Sequence, residues 1–478
     1  MPLLDPKSWQ PTPLSGAEHT VVEPATGEEL GRLTLASAED LDAAAETADT
    51  ARRAWAATPY PARAAVLRRA GDLFTEYAGE LRDWIVRETG SIPGKAGFEL
   101  HVAAQECYEA AALASRPLGQ VLPSEAPRLS YTRRAPVGTV GVIAPFNVPL
   151  ILAIRSVAPA LALGNAVLLK PDPRTAVSGG LALAAVLAEA GLPEGLLHVL
   201  PGDGRLGQAL VADARVPVIS FTGSTRAGRA VGETAGRHLK RAHLELGGNS
   251  ALIVLEDADL DAVISAAAWG SFFHQGQVCM TTGRHLVHAS LYEEYVERLA
   301  AKADSLAVGD PYRDQVHLGP VIDQGQLSKI HQFVEASTAR GARLAAGGTH
   351  EGLFHRPTVL ADADEDTPAY TEEVFGPVAP VRSFTDLDEA ARLASAGPYG
   401  LALGVVTRDT ARGLALAERV PTGIVHINDQ TVNDEAVAPF GGVAASGTGA
   451  RFGGESNLDA FTDLRWTTVR EDVAGYPF

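Results

Sequence analysis

Cysteine is scarce: in 478 residues only Cys107 and Cys279 occur. Two thiols cannot build a disulfide framework or a cysteine metal cluster, and this usage suits a reducing cytoplasm. Positive charge is also in deficit, with 40 Lys+Arg against 58 Asp+Glu and a formal charge of −18. A chain this acidic has no electrostatic case for nucleic acid or an anionic membrane as partner. Long apolar runs are missing. The most membrane-like window, residues 149–169, is interrupted by Arg155, Pro159, Gly164 and Asn165, and reads as a buried helix. Met1 to Lys7 lack a basic flank and an apolar run, so no signal peptide is expected. No internal repeat or low-complexity linker separates the domains, so they are expected to share interfaces. What is present is ordinary for a folded protein, 46% hydrophobic and 21% charged residues. The length corresponds to about three domains.

Residues 1–35 read as an irregular arm with short strands, punctuated by Pro11, Pro13, Gly16 and a turn at Gly27. Ser37 caps an alanine-rich helix, with Glu39 and Asp40 in the first turn where the dipole favours acid. A second helix follows Pro61, and a third spans about 96–115 with Cys107 as a packing residue. Leu129 to Ala135 reads as a strand outside the main body. From residue 138 the rhythm becomes strand, loop, helix. Strands are expected at 138–144, 166–170, 197–200 and 216–221, with helices at 177–190 and 204–212. Such alternation means a doubly wound parallel sheet, with ligands beyond the carboxyl ends of its strands. A second α/β unit begins with a strand at 251–255 and a helix at 260–273, and Phe461 to Arg470 reads as a late strand.

Two points carry nucleophile chemistry. Glu245 stands beside Gly247-Gly248, and Cys279 lies 34 residues later in the polar turn His274-Gln275-Gly276-Gln277-Val278. A thiolate attacks carbonyls and a carboxylate activates water. Free cysteine, however, is more often a small buried hydrophobe. Thr222-Gly223-Ser224-Thr225-Arg226-Ala227-Gly228 joins a strand to a helix and suits a pyrophosphate, or equally close helix–strand packing. It is neither the Gly-x-Gly-x-x-Gly fingerprint nor a P-loop. Asn147, just past a buried strand, suits an oxyanion or a turn; Lys170 ends another strand.

Together these motifs resemble the aldehyde dehydrogenase superfamily. The order is Pro145-Phe146-Asn147, Leu169-Lys170-Pro171, Phe221-Thr222-Gly223-Ser224-Thr225, Leu244-Glu245-Leu246-Gly247-Gly248, Gly276-Gln277-Val278-Cys279, Glu372-Glu373-Val374-Phe375-Gly376-Pro377 and Pro439-Phe440-Gly441-Gly442. The texture around Asn147, Lys170 and Asn433-Asp434-Glu435 is most similar to bacterial benzaldehyde and vanillin dehydrogenases. The resemblance implies an α/β fold with three parts. A Rossmann-type cofactor domain would span 1–125 and 137–247, an α/β catalytic domain 248–450, and a small β oligomerisation extension 126–136 and 451–478. It implies Cys279 as nucleophile, Glu245 as general base, and Asn147 with the Cys279 N–H as oxyanion hole. Lys170 and Glu373 would hold the cofactor riboses, Gly223 and Ser224 the pyrophosphate, and Phe375 would pack near the nicotinamide. Phe146, Gly228 and Pro173 complete the expected cofactor-binding set, and no metal is required.

The expected reaction is NAD(P)-dependent oxidation of an aromatic aldehyde to its acid through a cysteine thiohemiacetal and thioester, in a cytoplasmic homodimer or homotetramer. Alternatives are an aliphatic aldehyde or semialdehyde substrate, a coenzyme-A-acylating reaction, against which Glu245 argues, and a silent binding protein, against which the complete residue set argues. One departure from the family concerns the cofactor. Many relatives carry Glu three residues after the Lys, where it binds the adenine ribose and disfavours a 2′-phosphate. Pro173 stands there, followed by Arg174. NAD is therefore expected, with NADP accepted at a comparable order, Lys170 and Arg174 attracting its phosphate.

Overall fold

The computed structural model describes residues 3, 4 and 13–478. The expectation at Pro11 lies outside the described residues. Three sheets organise the chain. In the first, strands run in the order Leu197–Val199, Ala166–Lys170, Thr139–Ile143, Val218–Thr222, Arg241–Glu245, all parallel. The order reverses between Thr139–Ile143 and Val218–Thr222, which is the switch point where a doubly wound sheet opens a crevice. Ala166–Lys170 is buried along its whole length, as a two-faced parallel strand requires. One helical layer contains Ala38–Ala57 with Gly204–Ala212 and Thr225–Arg237; the other contains Pro149–Ala162 with Tyr60–Glu76 and Pro93–Leu113.

Local rules account for most boundaries. Ser37 Oγ accepts from the Asp40 N–H at 3.1 Å, and the Asp40 carboxylate accepts from the Ser37 N–H at 2.8 Å, closing a capping box. The apolar window 149–169 is helix only to Ala162; Gly164, at φ 95°, and Asn165 turn the chain into the next strand. The helix expected at 177–190 starts with one π-helical turn, Val177–Leu181, before Ala182–Glu189. A further helix, Ala78–Thr89, fills the stretch before Pro93 and ends on the left-handed Gly90. Among the described residues no helix is long and apolar enough to cross a membrane.

The second sheet has seven strands, with Ser250–Val254, Thr282–His288 and Val378–Phe384 at its centre, parallel to one another. It meets the first through the short link 246–249, which leaves the carboxyl end of Arg241–Glu245 and enters the amino end of Ser250–Val254. The carboxyl edge of one sheet thus faces the amino edge of the other. The third sheet is antiparallel. Thr462–Val469 pairs along its whole length with Leu129–Pro136, which also pairs with Val121–Leu122. Its outer strand exposes Leu464 and Trp466, at 60% and 64%.

Candidate active site

The strand Thr139–Ile143 runs out into Pro145-Phe146-Asn147 at the switch point. Asn147 is buried, and its Nδ2 donates to the Gln277 carbonyl at 2.8 Å, which leaves one amide hydrogen for another acceptor. The neighbouring Phe146 ring carries the Arg174 guanidinium 4.2 Å from its centroid and meets Phe375 edge-on at 5.9 Å.

Cys279 reaches this point through strained backbone. His274, Gln275 and Gly276 are successive left-handed residues, with φ of 50°, 55° and 66°. For the two non-glycine residues this costs about 1–2 kcal/mol each. Surrounding bonds hold the turn. Gln275 Nε2 donates to the Gly90 and Pro320 carbonyls at 2.9 and 2.6 Å, and Gln277 Oε1 accepts from the Ile322 N–H at 3.1 Å. The glycine pair 247–248 lets the segments close. A Cβ on Gly247 would lie 2.2 Å from Glu373 Oε2, and one on Gly248 2.6 Å from the Cys279 carbonyl oxygen.

Burial pushes the Cys279 thiol up to about 12; the Glu373 and Glu245 carboxylates add to this, and Arg155 opposes it. Glu245 is buried at the end of its strand, and burial pushes its carboxyl up to about 8, Arg155 again opposing. One oxygen accepts from the Gly442 N–H at 3.3 Å; the other has no hydrogen-bond partner. A Cβ on Gly441 would come within 2.7 Å of Glu245 Oε1, so the glycine-dense loop is cut to fit this carboxylate.

Two cavities meet at Cys279 and Asn147. The larger, about 400 Å³, is walled by Phe98, Ile151, Trp269, Phe273, Val432 and Phe440. The smaller, about 160 Å³, is walled by Phe146, Gly223, Ser224, Glu373 and Phe375. Glu245 lines neither. Ser224 caps the helix Thr225–Arg237, whose N-terminus opens on the smaller cavity. Glu373 accepts from the Gly248 N–H at 3.1 Å, and burial pushes it up to about 7. Phe375 is left-handed at φ 57°.

Three expected cofactor residues, and the neighbouring Arg174, need separate comment. Gly228 faces Leu246 instead of the cavity; a Cβ there would lie 2.2 Å from Leu246 Cδ2, so the glycine lets the helix approach the strand. Lys170 is buried at its strand end, and burial lowers its pKa. Pro173 opens the short helix Pro173–Thr175. Arg174, expected to draw a phosphate, is already committed: it pairs with Asp172 at 2.8 Å and Asp323 at 2.6 Å and stacks on Phe146. That expectation is corrected, because two carboxylates already satisfy the guanidinium.

Charged residues that sequence reading did not assign to the site stand at the wall of the larger cavity. Arg155 there is buried between Asp434 and Glu106, pairing with the former and 3.8 Å from the latter, with its guanidinium 4.5 Å from the Phe440 centroid. Lys95 lines the same cavity and pairs with Glu99. A charge inside an apolar helix window was the available signal for Arg155; nothing in one sequence shows that Glu106 and Asp434 enclose it. Among the described residues no group of three or more His, Cys, Asp or Glu could hold a metal ion.

Known proteins resemble this chain along nearly its whole length. The chain is 70% identical over 472 residues to a vanillin dehydrogenase from an Amycolatopsis species, covering 98% of this chain and 97% of that one. It is 49% identical to benzaldehyde dehydrogenase [NAD(+)] of Pseudomonas putida, covering 97% and 95% of the two chains. The crystal structure of betaine aldehyde dehydrogenase from Staphylococcus aureus in complex with NAD+ superposes with a TM-score of 0.94 at 28% identity, covering 97% and 95%. The model of the aldehyde dehydrogenase family matches residues 12–467, and the chain belongs to that family.

Proposed function

We propose that the protein oxidises aromatic aldehydes to carboxylic acids with NAD, using Cys279 as nucleophile. The observation that carries this reading is that one thiol is shared by two cavities of different chemistry. The larger is walled by rings and aliphatic side chains, which suit a planar apolar substrate. The smaller fits a dinucleotide by its donor set: a helix N-terminus at Gly223-Ser224 for a pyrophosphate and a carboxylate, Glu373, for a ribose diol. Lys170 stands at the neighbouring strand end and would complete the ribose contacts. Relatives named as vanillin and benzaldehyde dehydrogenases support the aromatic substrate.

The residues act as follows. Cys279 gives its proton to solvent water, and its sulfur bonds to the aldehyde carbon as the carbonyl π pair moves onto oxygen. The free Asn147 amide hydrogen, with the Cys279 N–H, holds the oxygen that becomes an oxyanion. A bound nicotinamide would supply the acceptor for the hydride lost from this carbon, the loss that leaves the thioester. Glu245, once deprotonated, takes a proton from water, which attacks the thioester and returns the thiol. Gly441 and Gly442 pack against its carboxylate, and the Gly442 N–H donates to one of its oxygens. The reading places the cofactor layer in 1–125 and 137–247, the catalytic layer in 248–450 and the oligomer contact in the third sheet, whose outer strand Thr462–Val469 pairs on one side only among the described residues. A homodimer or homotetramer in the cytoplasm belongs to the same reading.

The test is NAD reduction with substituted benzaldehydes and straight-chain aldehydes. We expect kcat/KM for the benzaldehydes to exceed that for aliphatic aldehydes by about fivefold or more, as one extra ring contact is worth about 1 kcal/mol. An aliphatic preference would overturn the substrate assignment while leaving the chemistry intact.

A further inference from the structure

Lys95 sits where three local rules disfavour it. It occupies the first turn of the helix Pro93–Leu113, where the macrodipole repels a cation. It precedes Glu99 by four residues, the less favourable orientation for a helical ion pair. Both side chains are essentially inaccessible, at 1% and 0%, and a buried ion pair is often no more stable than an apolar pair of the same volume. Helix stability therefore does not account for them.

Their partners do. Lys95 Nζ bonds to Glu99 and donates to the Asn147 carbonyl at 2.8 Å. The other Glu99 oxygen accepts from the Leu150 N–H at 3.0 Å. Leu150 lies in the first turn of Pro149–Ala162, whose N-cap, Val148, offers no side-chain acceptor. Glu99 thus caps in trans a helix that cannot cap itself, and Lys95 holds the residue just before it. Asn147 is fixed at both ends, its carbonyl by Lys95 and its side chain by the Gln277 carbonyl, two residues from Cys279.

We infer that Lys95, with Glu99, is a positioning residue that holds the Asn147 amide on the developing oxyanion. This rests on the oxyanion reading of Asn147 given above. An oxyanion donor works only within about 2.7–3.1 Å of its target, and a shift of about 1 Å costs up to roughly a hundredfold in rate.

The test uses Lys95→Met/Glu99→Gln in the full-length enzyme, because Lys95→Met alone would strand a buried carboxylate. The Gln carbonyl still accepts from Leu150, while the Asn147 carbonyl loses its donor. We expect kcat to fall about 10–100-fold with KM for NAD unchanged. A primary isotope effect with aldehyde-deuterated benzaldehyde should rise as hydride transfer becomes limiting. A double variant with a lowered melting temperature but wild-type kcat and isotope effect would show a structural role and overturn the inference. Asn147→Ala, measured beside it, separates the two claims. If it keeps wild-type kcat, the oxyanion reading falls and the inference with it. If it loses activity while the double variant does not, only the inference falls.

Discussion

The two cavities at Cys279 are built on different principles. The smaller is made largely of chain ends: the turn after Val218–Thr222, the strand end before Asn147 and the loop before Val378–Phe384. It presents backbone and the Glu373 carboxylate between the Phe146 and Phe375 rings, with Leu152, Gln326 and Lys329 joining from two helices. The larger is made of side chains from the middles and ends of separate helices and one distant loop, with Arg155, Asp434 and Lys95 at its wall. A ligand shared by many enzymes can be held by backbone groups, which any sequence supplies. A particular ring needs particular side chains. Cys279 and Asn147 belong to both cavities and carry the chemistry, so damage there should lower turnover, whereas damage elsewhere should affect the binding of one ligand only.

Removing the shared thiol gives the largest effect. Cys279→Ala should lower kcat by more than about a thousandfold, since losing a nucleophile removes the covalent route. NAD affinity, read by fluorescence quenching, should stay within about threefold because the smaller cavity keeps its other walls. Substantial turnover in this variant, or its loss in Cys107→Ala with the fold intact, would remove Cys279 from the mechanism. Cys107 is fully buried and its thiol is pushed up by burial.

Glu245→Gln comes next and touches neither cavity wall. It should leave a burst of reduced cofactor followed by turnover slowed about 10²–10⁴-fold. A first turnover as slow as the rest would place Glu245 earlier in the reaction. The wild-type steady-state rate should rise with pH through about 8 as Glu245 loses its proton, and the variant should lack that rise. Stability gives an independent check. A carboxyl whose folded pKa is raised loses stability as pH climbs from its unfolded value to its folded one, after which the deficit is constant. Glu245→Gln should therefore be more stable than wild type at pH 7, by about 3 kcal/mol, with the gap closing towards pH 4.5.

On the substrate side alone, Trp269 stacks on Phe273 at 4.3 Å between centroids and is 49% exposed at the cavity mouth. Trp269→Ala should raise KM for benzaldehyde about three- to tenfold, with KM for NAD unchanged. Equal changes for both ligands would mean that the cavities are not separable.

The same contrast explains what the sequence made legible. Strands 139–143, 166–170 and 218–222 follow from short apolar runs between turns, and their exits, Asn147, Lys170 and Gly223-Ser224, lie beside them in the chain. Contiguity makes that side readable. The larger cavity draws Phe98, Ile151, Trp269, Val432 and Phe440 from segments more than 300 residues apart, and each alone looks like core. Charged residues mislead for the same reason. Arg174 looks free in sequence, yet Asp323, 149 residues on, meets it.

That correction reshapes the smallest prediction, on the cofactor side alone. Pro173 supplies neither a hydrogen bond for a ribose diol nor a charge against a 2′-phosphate. With Arg174 held by Asp172 and Asp323, attraction for the phosphate rests on Lys170, which Asp172 also faces. NAD should therefore be preferred, with NADP used about tenfold less well, the absence of repulsion still admitting it. Pro173→Glu adds a carboxylate at the start of Pro173–Thr175 and should widen the preference by about another tenfold, since one charge-assisted hydrogen bond is worth about 1.5–3 kcal/mol. Most of the change should come from loss of NADP, read as kcat/KM for both cofactors in wild type and variant. KM for benzaldehyde should not move, because the substitution is remote from the aromatic wall. A wild type that already rejects NADP by a thousandfold would transfer the choice of cofactor from position 173 to the Asp172 carboxylate beside Lys170.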